Sequence, residues 1–171
     1  MKKKRLIVIS AAILLFLCAV IYKYQSIPDG QTIESREQLL KGIPKGAGWQ
    51  ISTEQLLNDY IVSGIYSTDG KNGIAVFEPT AKGRYKLSSR EWRESGRIVI
   101  SGYAADGIWY DLVWFNDAQT QYAEITYTVD GDKQETIKHN STNMEIFIHE
   151  APAKDYSIDV VYYDSKGNVY E

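Results

Sequence analysis

Two hydrophobic patterns divide this chain into two parts. Residues 6–22 carry no charge, and Ser10 is the only residue that interrupts their apolar composition. From residue 60 onward, apolar and polar residues alternate in short runs separated by Gly, Asp, Asn and Pro. An unbroken apolar segment is typical of a membrane-spanning helix, whereas a period of two is typical of β-strands with one buried face. The sequence therefore predicts an apolar helix followed by a β-rich domain.

The clearest β-hairpin is predicted between residues 122 and 139. Positions 123, 125, 127 and 129 are apolar or aromatic and alternate with Tyr, Glu and Thr, as expected for a sheet with one wet face. Asp130-Gly131 follows, and this dipeptide favours a tight turn because glycine tolerates the positive φ that such a turn requires. We expect the second strand to run back from Lys133 to His139.

Further strand candidates follow one another at short spacing, without helical periodicity between them. This arrangement predicts a mainly β fold of about 8–10 short antiparallel strands. A β-sandwich is the first choice of architecture, and an open or partly closed barrel is the alternative. The other candidates are residues 60–67, 74–78, 85–93, 97–103, 108–116, 144–149, 156–163 and 168–171.

One or two short helices are predicted before the strands. The segment 32–42 has Thr32 or Ser35 as a cap, acidic residues in its first turns, and Lys41-Gly42 as a stop signal. A second short helix is predicted to begin at Ser52, because Ser52 and Gln55 have the spacing of a capping box.

The apolar segment is predicted to be a single-pass signal-anchor. At ~1.5 Å per residue, residues 6–22 form a helix of roughly 26 Å, near the lower limit for crossing a bilayer. Four basic residues at positions 2–5 precede it, and Tyr22 and Tyr24 are suited to the membrane interface. Basic residues favour the cytoplasmic side, so we expect a cytoplasmic N-terminus and an extracellular domain at the cell membrane.

Two other fates of this segment are less well matched by the residues. A cleaved signal peptide, which would give a secreted protein, needs small residues before the cut, whereas residues 21–25 read Ile-Tyr-Lys-Tyr-Gln. Lipidation of Cys18 is disfavoured by the bulky Leu17 before it. The predicted organisation is a basic tip and anchor at 1–24, a turn-rich stalk at 25–31 and a β-rich domain at 32–171.

Charge is distributed unevenly between the anchor and the domain. Five of the 19 Lys and Arg residues lie in the first 24 positions, which leaves 14 against all 22 acidic residues and gives the domain a charge of about −8. Nucleic acid is therefore excluded as an expected partner, because phosphate binding requires a concentrated positive face. Adhesion to an anionic membrane surface is disfavoured for the same reason.

No motif with the spacing of a known catalytic or metal site occurs in the domain. The single cysteine, Cys18, lies in the apolar segment, and His139 and His149 are the only histidines. We interpret both histidines as solvated or structural, and we expect no metal and no cofactor. Asp130-Gly131-Asp132 resembles the start of a calcium loop, but the later ligand positions are missing and a turn explains the sequence.

The aromatic strand at 108–115 carries the candidate ligand-binding residues. Trp109 and Asp111 share one predicted face with positions 113 and 115, while Tyr110 and Trp114 share the other face with position 112. Exposed Trp and Tyr side chains form flat platforms for sugars, peptides or protein partners. The alternative is that loops or the short helices cover the second face, so that these aromatic residues belong to the core. An acid within such a run must reach solvent or a hydrogen-bond donor, and we expect Arg93 or Arg97 to pair with Asp111.

The leading hypothesis is a non-enzymatic, membrane-anchored extracytoplasmic module of a bacterium. It would bind a protein or an envelope component through its aromatic sheet face. One alternative is a surface hydrolase that uses carboxylates such as Asp111. Another is a structural component of an envelope assembly that pairs through its sheet edges.

Overall fold

The computed structural model describes residues 13–18, 28–42, 48–94, 98–117, 119–140 and 145–170. The described residues form eleven strands and two short helical segments, α1 (13–18) and α2 (Ile33–Lys41), so the prediction of a mainly antiparallel β fold is confirmed. The strands are β1 (Trp49–Leu57), β2 (Tyr60–Ser67), β3 (Asn72–Thr80), β4 (Arg84–Arg93), β5 (Ile98–Ala105), β6 (Ile108–Phe115), β7 (Tyr122–Val129), β8 (Asp132–Asn140), β9 (Ile146–Glu150), β10 (Ser157–Tyr163) and β11 (Val169–Tyr170).

The two helix predictions in the domain have different outcomes. The helix at 32–42 is confirmed: α2 begins after Thr32, whose side chain accepts a hydrogen bond from the backbone N–H of Ser35. The helix expected from Ser52 is wrong, because this segment lies within β1 and pairs with β2 along its length. Sheet pairing and the burial of Trp49 and Leu57 outweigh the local capping signal.

The described strands form three open antiparallel sheets, whereas the predicted β-sandwich has two. The first sheet has the order β1-β2-β3-β4, the middle sheet β5-β6-β9 and the third sheet β11-β10-β7-β8. The described strands do not close into a barrel, so the barrel alternative is not realised in this part of the chain. The turn predicted at Asp130-Gly131 is present, and both residues have positive φ angles of 53° and 84°.

The middle sheet lies between the other two, because alternate residues of β6 belong to different cores. Leu112 and Trp114 pack with residues of β2 and β3, whereas Val113 and Phe115 pack with residues of β7. On the other side of the first sheet, α2 contributes Leu40 to a third core. The molecule is therefore a stack of one helix and three sheets, and both faces of the aromatic strand are covered over residues 112–115.

A close approach between the first and middle sheets accounts for a glycine in the centre of β2. The indole of Trp114 lies directly over Gly64, and a Cβ atom added to that glycine would lie 2.5 Å from a ring carbon. A residue with a side chain would force the two sheets apart, so Gly64 is required by packing rather than by backbone conformation.

Three turns and the start of the domain meet at one end of this stack, which we call the entry end. The β1–β2 turn contacts the β5–β6 turn, where Asn58 donates a hydrogen bond of 2.9 Å to Asp106. The register of β1 to β3 brings the β3–β4 turn to the same end. The chain joins there as well, because the carbonyl of Asp29 accepts a hydrogen bond of 2.8 Å from the backbone N–H of Tyr85.

Within the part of the chain that the structure describes, no helix has the length and apolar character needed to cross a bilayer. The predicted span at residues 6–22 lies outside the described residues except for 13–18, which are helical.

Candidate functional site

The four residues predicted to bind a ligand have very different exposures. Trp109 is 51% exposed, whereas Trp114 is completely buried and Asp111 is only 2% exposed. Tyr110 is half-buried and packs against the core between the first and middle sheets. The idea of an aromatic platform therefore reduces to Trp109, and Trp114 has a structural place between two sheets.

Trp109 forms one wall of a cleft at the entry end. The cleft has a volume of 490 Å³, and its other lining residues are Ala151, Ala153 and Lys154 in the β9–β10 connection. This volume falls within the range of about 300–1,000 Å³ that is typical of small-molecule sites. The walls are mainly apolar, with one ammonium group, so the cleft favours a ligand with a flat apolar face.

Trp109 is held in place by a contact of its ring and by a hydrogen bond of its backbone. The indole lies across Gly102 of the neighbouring strand, where an added Cβ would come within 2.6 Å of a ring carbon. The Trp109 carbonyl accepts a hydrogen bond of 2.9 Å from the backbone N–H of Ala151, which attaches the far wall of the cleft to the same residue. The ring also lies close to the hydroxyl of Tyr156, and this proximity opposes the larger rise in the tyrosine pKa that burial causes.

Asp111 lies behind Trp109, on the face of β6 that packs against the third sheet. Its Oδ1 atom accepts a hydrogen bond of 2.5 Å from the hydroxyl of Tyr156. Its Oδ2 atom is buried and has no hydrogen-bond partner among the described residues. The buried hydroxyl of Tyr127 also has no partner of standard geometry in that part of the chain, although it is close enough to Asp111 to influence its pKa.

The protonation of this buried group follows from its surroundings. Burial raises the pKa of Asp111 above its ordinary value, and the hydrogen bond from Tyr156, the hydroxyl of Tyr127 and the nearby His149 act in the opposite direction. The pKa of Tyr156 and that of Tyr127 are both strongly raised, mainly by burial and then by the adjacent Asp111. Both tyrosines are therefore neutral donors at ordinary pH.

His149 is the other polar side chain described near the carboxyl group of Asp111. It is the direct cross-strand partner of Asp111 in the β6–β9 pairing, so the two side chains share one face of the middle sheet. Its ring packs against Phe147 and Tyr127, and its Nε2 atom lies 3.4 Å from Glu135 of the third sheet. The expectation of a structural role fits these ring contacts. His139 is similarly packed, between Phe115 and Phe147.

The expected ion pair of Asp111 is not formed with Arg93, which pairs instead with Glu91 on its own strand at 3.0 Å. The other expected partner, Arg97, lies outside the described residues. Sequence reasoning missed Tyr156 and Tyr127 because both come from the third sheet. The only signal in their favour was the high tyrosine content of the chain, which does not single out two residues.

The polar groups behind the cleft are the carboxyl group of Asp111 and the hydroxyls of Tyr156 and Tyr127. These groups can donate and accept hydrogen bonds. Three or more His, Cys, Asp or Glu side chains do not converge as a metal site anywhere in the described ranges.

Comparisons with known proteins give no relative for this chain. No protein-family model matches it, and neither a curated protein nor a solved structure is significantly similar to it.

Proposed function

We propose that this protein is a membrane-anchored, extracytoplasmic binding module whose ligand site is the Trp109 cleft. The observation that carries this proposal is a half-exposed indole on a 490 Å³ cleft, close to the hydrogen-bonded pair of Tyr156 and Asp111. Large apolar side chains are normally buried, and an exposed one that is rigidly supported favours a role in recognition.

Asp111 contributes to this site as a positioning residue. Its carboxyl group holds the hydroxyl of Tyr156, and Tyr156 in turn contacts the indole of Trp109. Because Asp111 is only 2% exposed, its carboxyl group is not accessible to a ligand in the cleft. The contacts around Asp111 therefore support an indirect role, through the orientation of the Trp109 indole.

The membrane location rests on the pattern of the first 24 residues. An apolar segment preceded by four basic residues and followed by tyrosines is typical of an anchor with a cytoplasmic N-terminus. A ligand site tethered in this way acts at high effective concentration on components of the same membrane.

Affinity capture from solubilised membranes of the producing cells tests the binding role. The bait is the full chain, compared with Trp109→Ala and with Trp92→Ala as the matched control. Trp92 is 39% exposed and lies near the end of β4, away from the cleft. We expect a component captured by the wild type and by Trp92→Ala to be lost with Trp109→Ala. Equal capture by all three baits, or none by the wild type, would contradict the proposal.

One observation favours the hydrolase alternative, namely a buried carboxyl group with a raised pKa, whose Oδ2 atom accepts no hydrogen bond from the described residues. Such groups serve as general acids in many enzymes. Chromogenic esters and glycosides provide the assay. Turnover by the wild type that disappears in Asp111→Asn, while the fold is retained, would favour the enzyme over the binding module.

A further inference from the structure

Three exposed apolar side chains lie near the entry end of the stack, on different faces of its sheets. Leu56 is 67% exposed near the end of β1, and Ile108 is 39% exposed at the start of β6. Trp109 adds its half-exposed indole next to Ile108. These three residues come from two different sheets, and their exposure leaves apolar area in water that the fold itself does not cover.

The chain enters the domain at this same end. Besides the bond from Tyr85 to Asp29, the side chain of Gln31 donates a hydrogen bond of 2.9 Å to the carbonyl of Gly83 in the β3–β4 turn. The predicted span ends at Tyr22, so six residues separate it from Asp29. At about 3.3–3.6 Å per residue, the seven steps from Tyr22 to Asp29 reach at most about 25 Å.

We infer that the entry end lies against the surface of the bilayer that holds the predicted anchor, with Leu56, Ile108 and Trp109 at the lipid interface. This inference rests on the anchor part of the proposed function. A short tether holds this end of the domain within reach of the membrane, and Trp, Leu and Ile are side chains that partition favourably there. The Trp109 cleft then opens beside the membrane surface.

The charges at this end favour a contact driven by apolar side chains. Acidic and basic groups are interspersed there, with Asp59 and Asp106 in two turns and Lys82 and Lys154 in two connections. A mixed distribution of this kind gives little attraction to anionic headgroups. Zwitterionic phosphatidylcholine is therefore sufficient as a probe, and salt has little effect on the contact.

Fluorescence quenching by brominated lipids measures the contact directly. The full chain is reconstituted in phosphatidylcholine vesicles with or without bromine on the acyl chains. Trp49 and Trp114 are at most 2% exposed, so quenching reports on Trp92 and Trp109. We expect brominated lipid to quench the wild type and Trp92→Phe, and we expect Trp109→Phe to lose this quenching. The variant Leu56→Ser/Ile108→Ser retains both reporters and should show weaker quenching.

Vesicle flotation separates the failure of this inference from the failure of the anchor. If the chain floats with vesicles but Trp109→Phe is quenched as strongly as the wild type, the lipid contact is wrong and the anchor stands. If the chain does not float, the anchor is wrong and the inference is overturned with it. Thermal unfolding of each variant confirms that the fold is retained.

Discussion

Among the described residues, Asp111 is a buried acid and Glu54 is a part-buried one, and their carboxyl groups are compensated in opposite ways. Glu54 lies under α2, where its two oxygens accept hydrogen bonds of 2.8 and 2.5 Å from Arg36 and one of 2.8 Å from Ser63. Arg36 also donates to the carbonyls of Gly30 and Gln31. In contrast, Asp111 has neutral tyrosines around it and one oxygen without a partner in the described part of the chain.

The difference distinguishes a structural charge from one with unused hydrogen-bonding capacity. The pair of Arg36 and Glu54 attaches α2 to the first sheet, and the further bonds from Arg36 attach residues 30 and 31 as well. The pocket of Asp111 is less well compensated, although burying a carboxylate is costly. Asp111 also lies next to the only one of the four predicted ligand residues that is largely exposed. This contrast favours a functional role for the second pocket.

The largest effect is expected when the compensated pair is broken. Arg36→Met leaves the part-buried Glu54 without its cation. Loss of one partner of a buried pair costs about 3–5 kcal/mol, which is an upper bound here because the Glu54 side chain is 19% exposed. Denaturant unfolding of the full chain in detergent measures this loss. The double variant Arg36→Met/Glu54→Met should recover part of it, and Arg93→Ala, which breaks an exposed pair, serves as the control. An Arg36→Met protein as stable as the wild type would contradict the structural role.

A smaller loss is expected when Asp111 loses its donor. Tyr156→Phe removes the hydroxyl that binds Oδ1, and an unsatisfied buried group costs about 1–3 kcal/mol. The same unfolding measurement tests it. Tyr163→Phe is the matched control, because it removes an equivalent bond of 3.0 Å to the less buried Glu124. Equal losses of stability in Tyr156→Phe and Tyr163→Phe would contradict a special cost of leaving Asp111 without its donor.

The pH dependence of stability provides a third test. Burial raises the folded-state pKa of Asp111 above its ordinary value of 3.8, so the folded domain binds this proton more tightly than the unfolded chain does. The stability that protonated Asp111 contributes is complete below pH 3.8 and is lost as the pH rises through the raised pKa. Asp111→Asn should remove this downward slope.

The difference between wild type and Asp111→Asn isolates this residue from the other acids. Carboxyl groups with lowered pKa values contribute stability of the opposite pH dependence, and both proteins retain them: Asp29, Glu34, Asp69, Glu78 and Asp164. Unfolding midpoints recorded between pH 3 and pH 8 give the two curves. Curves that run parallel over this range would show that Asp111 is not destabilised by burial.

The smallest effect is expected at an exposed ion pair. Lys86 lies 2.5 Å from Glu78, but its side chain is 63% exposed and water screens the interaction. Lys86→Ala should therefore leave the unfolding midpoint almost unchanged. This result is the baseline against which the losses of Arg36→Met and Tyr156→Phe are judged. A loss comparable with that of Tyr156→Phe would remove the distinction between buried and exposed acids.

Local features of the fold were predictable from the sequence because they depend on neighbouring residues. The cap at Thr32, the turn at Asp130-Gly131 and the alternation along β7 each follow from contacts within a few positions. The helix predicted from Ser52 fails for a related reason. A capping box is a weak local signal, and the pairing of β1 with β2 supplies hydrogen bonds along the whole segment.

The stacking of three sheets and the partners of Asp111 depend on long-range contacts that alternation does not encode. In β2, β3 and β6, five consecutive residues are buried, which is typical of strands covered on both faces. In the sequence of β6, the unbroken apolar run at 112–115 indicated such burial. Tyr156, however, lies 45 positions from Asp111, and no local pattern links the two residues.

Photo-crosslinking from the cleft tests the central claim most directly. A benzophenone amino acid replaces Trp109 in the full chain in membranes, and the same substitution at Trp92 is the control, because that indole is also partly exposed. The binding module predicts a discrete crosslinked product from position 109 that is absent from position 92. The same products from both positions, or no product from position 109, would contradict a ligand site at this cleft.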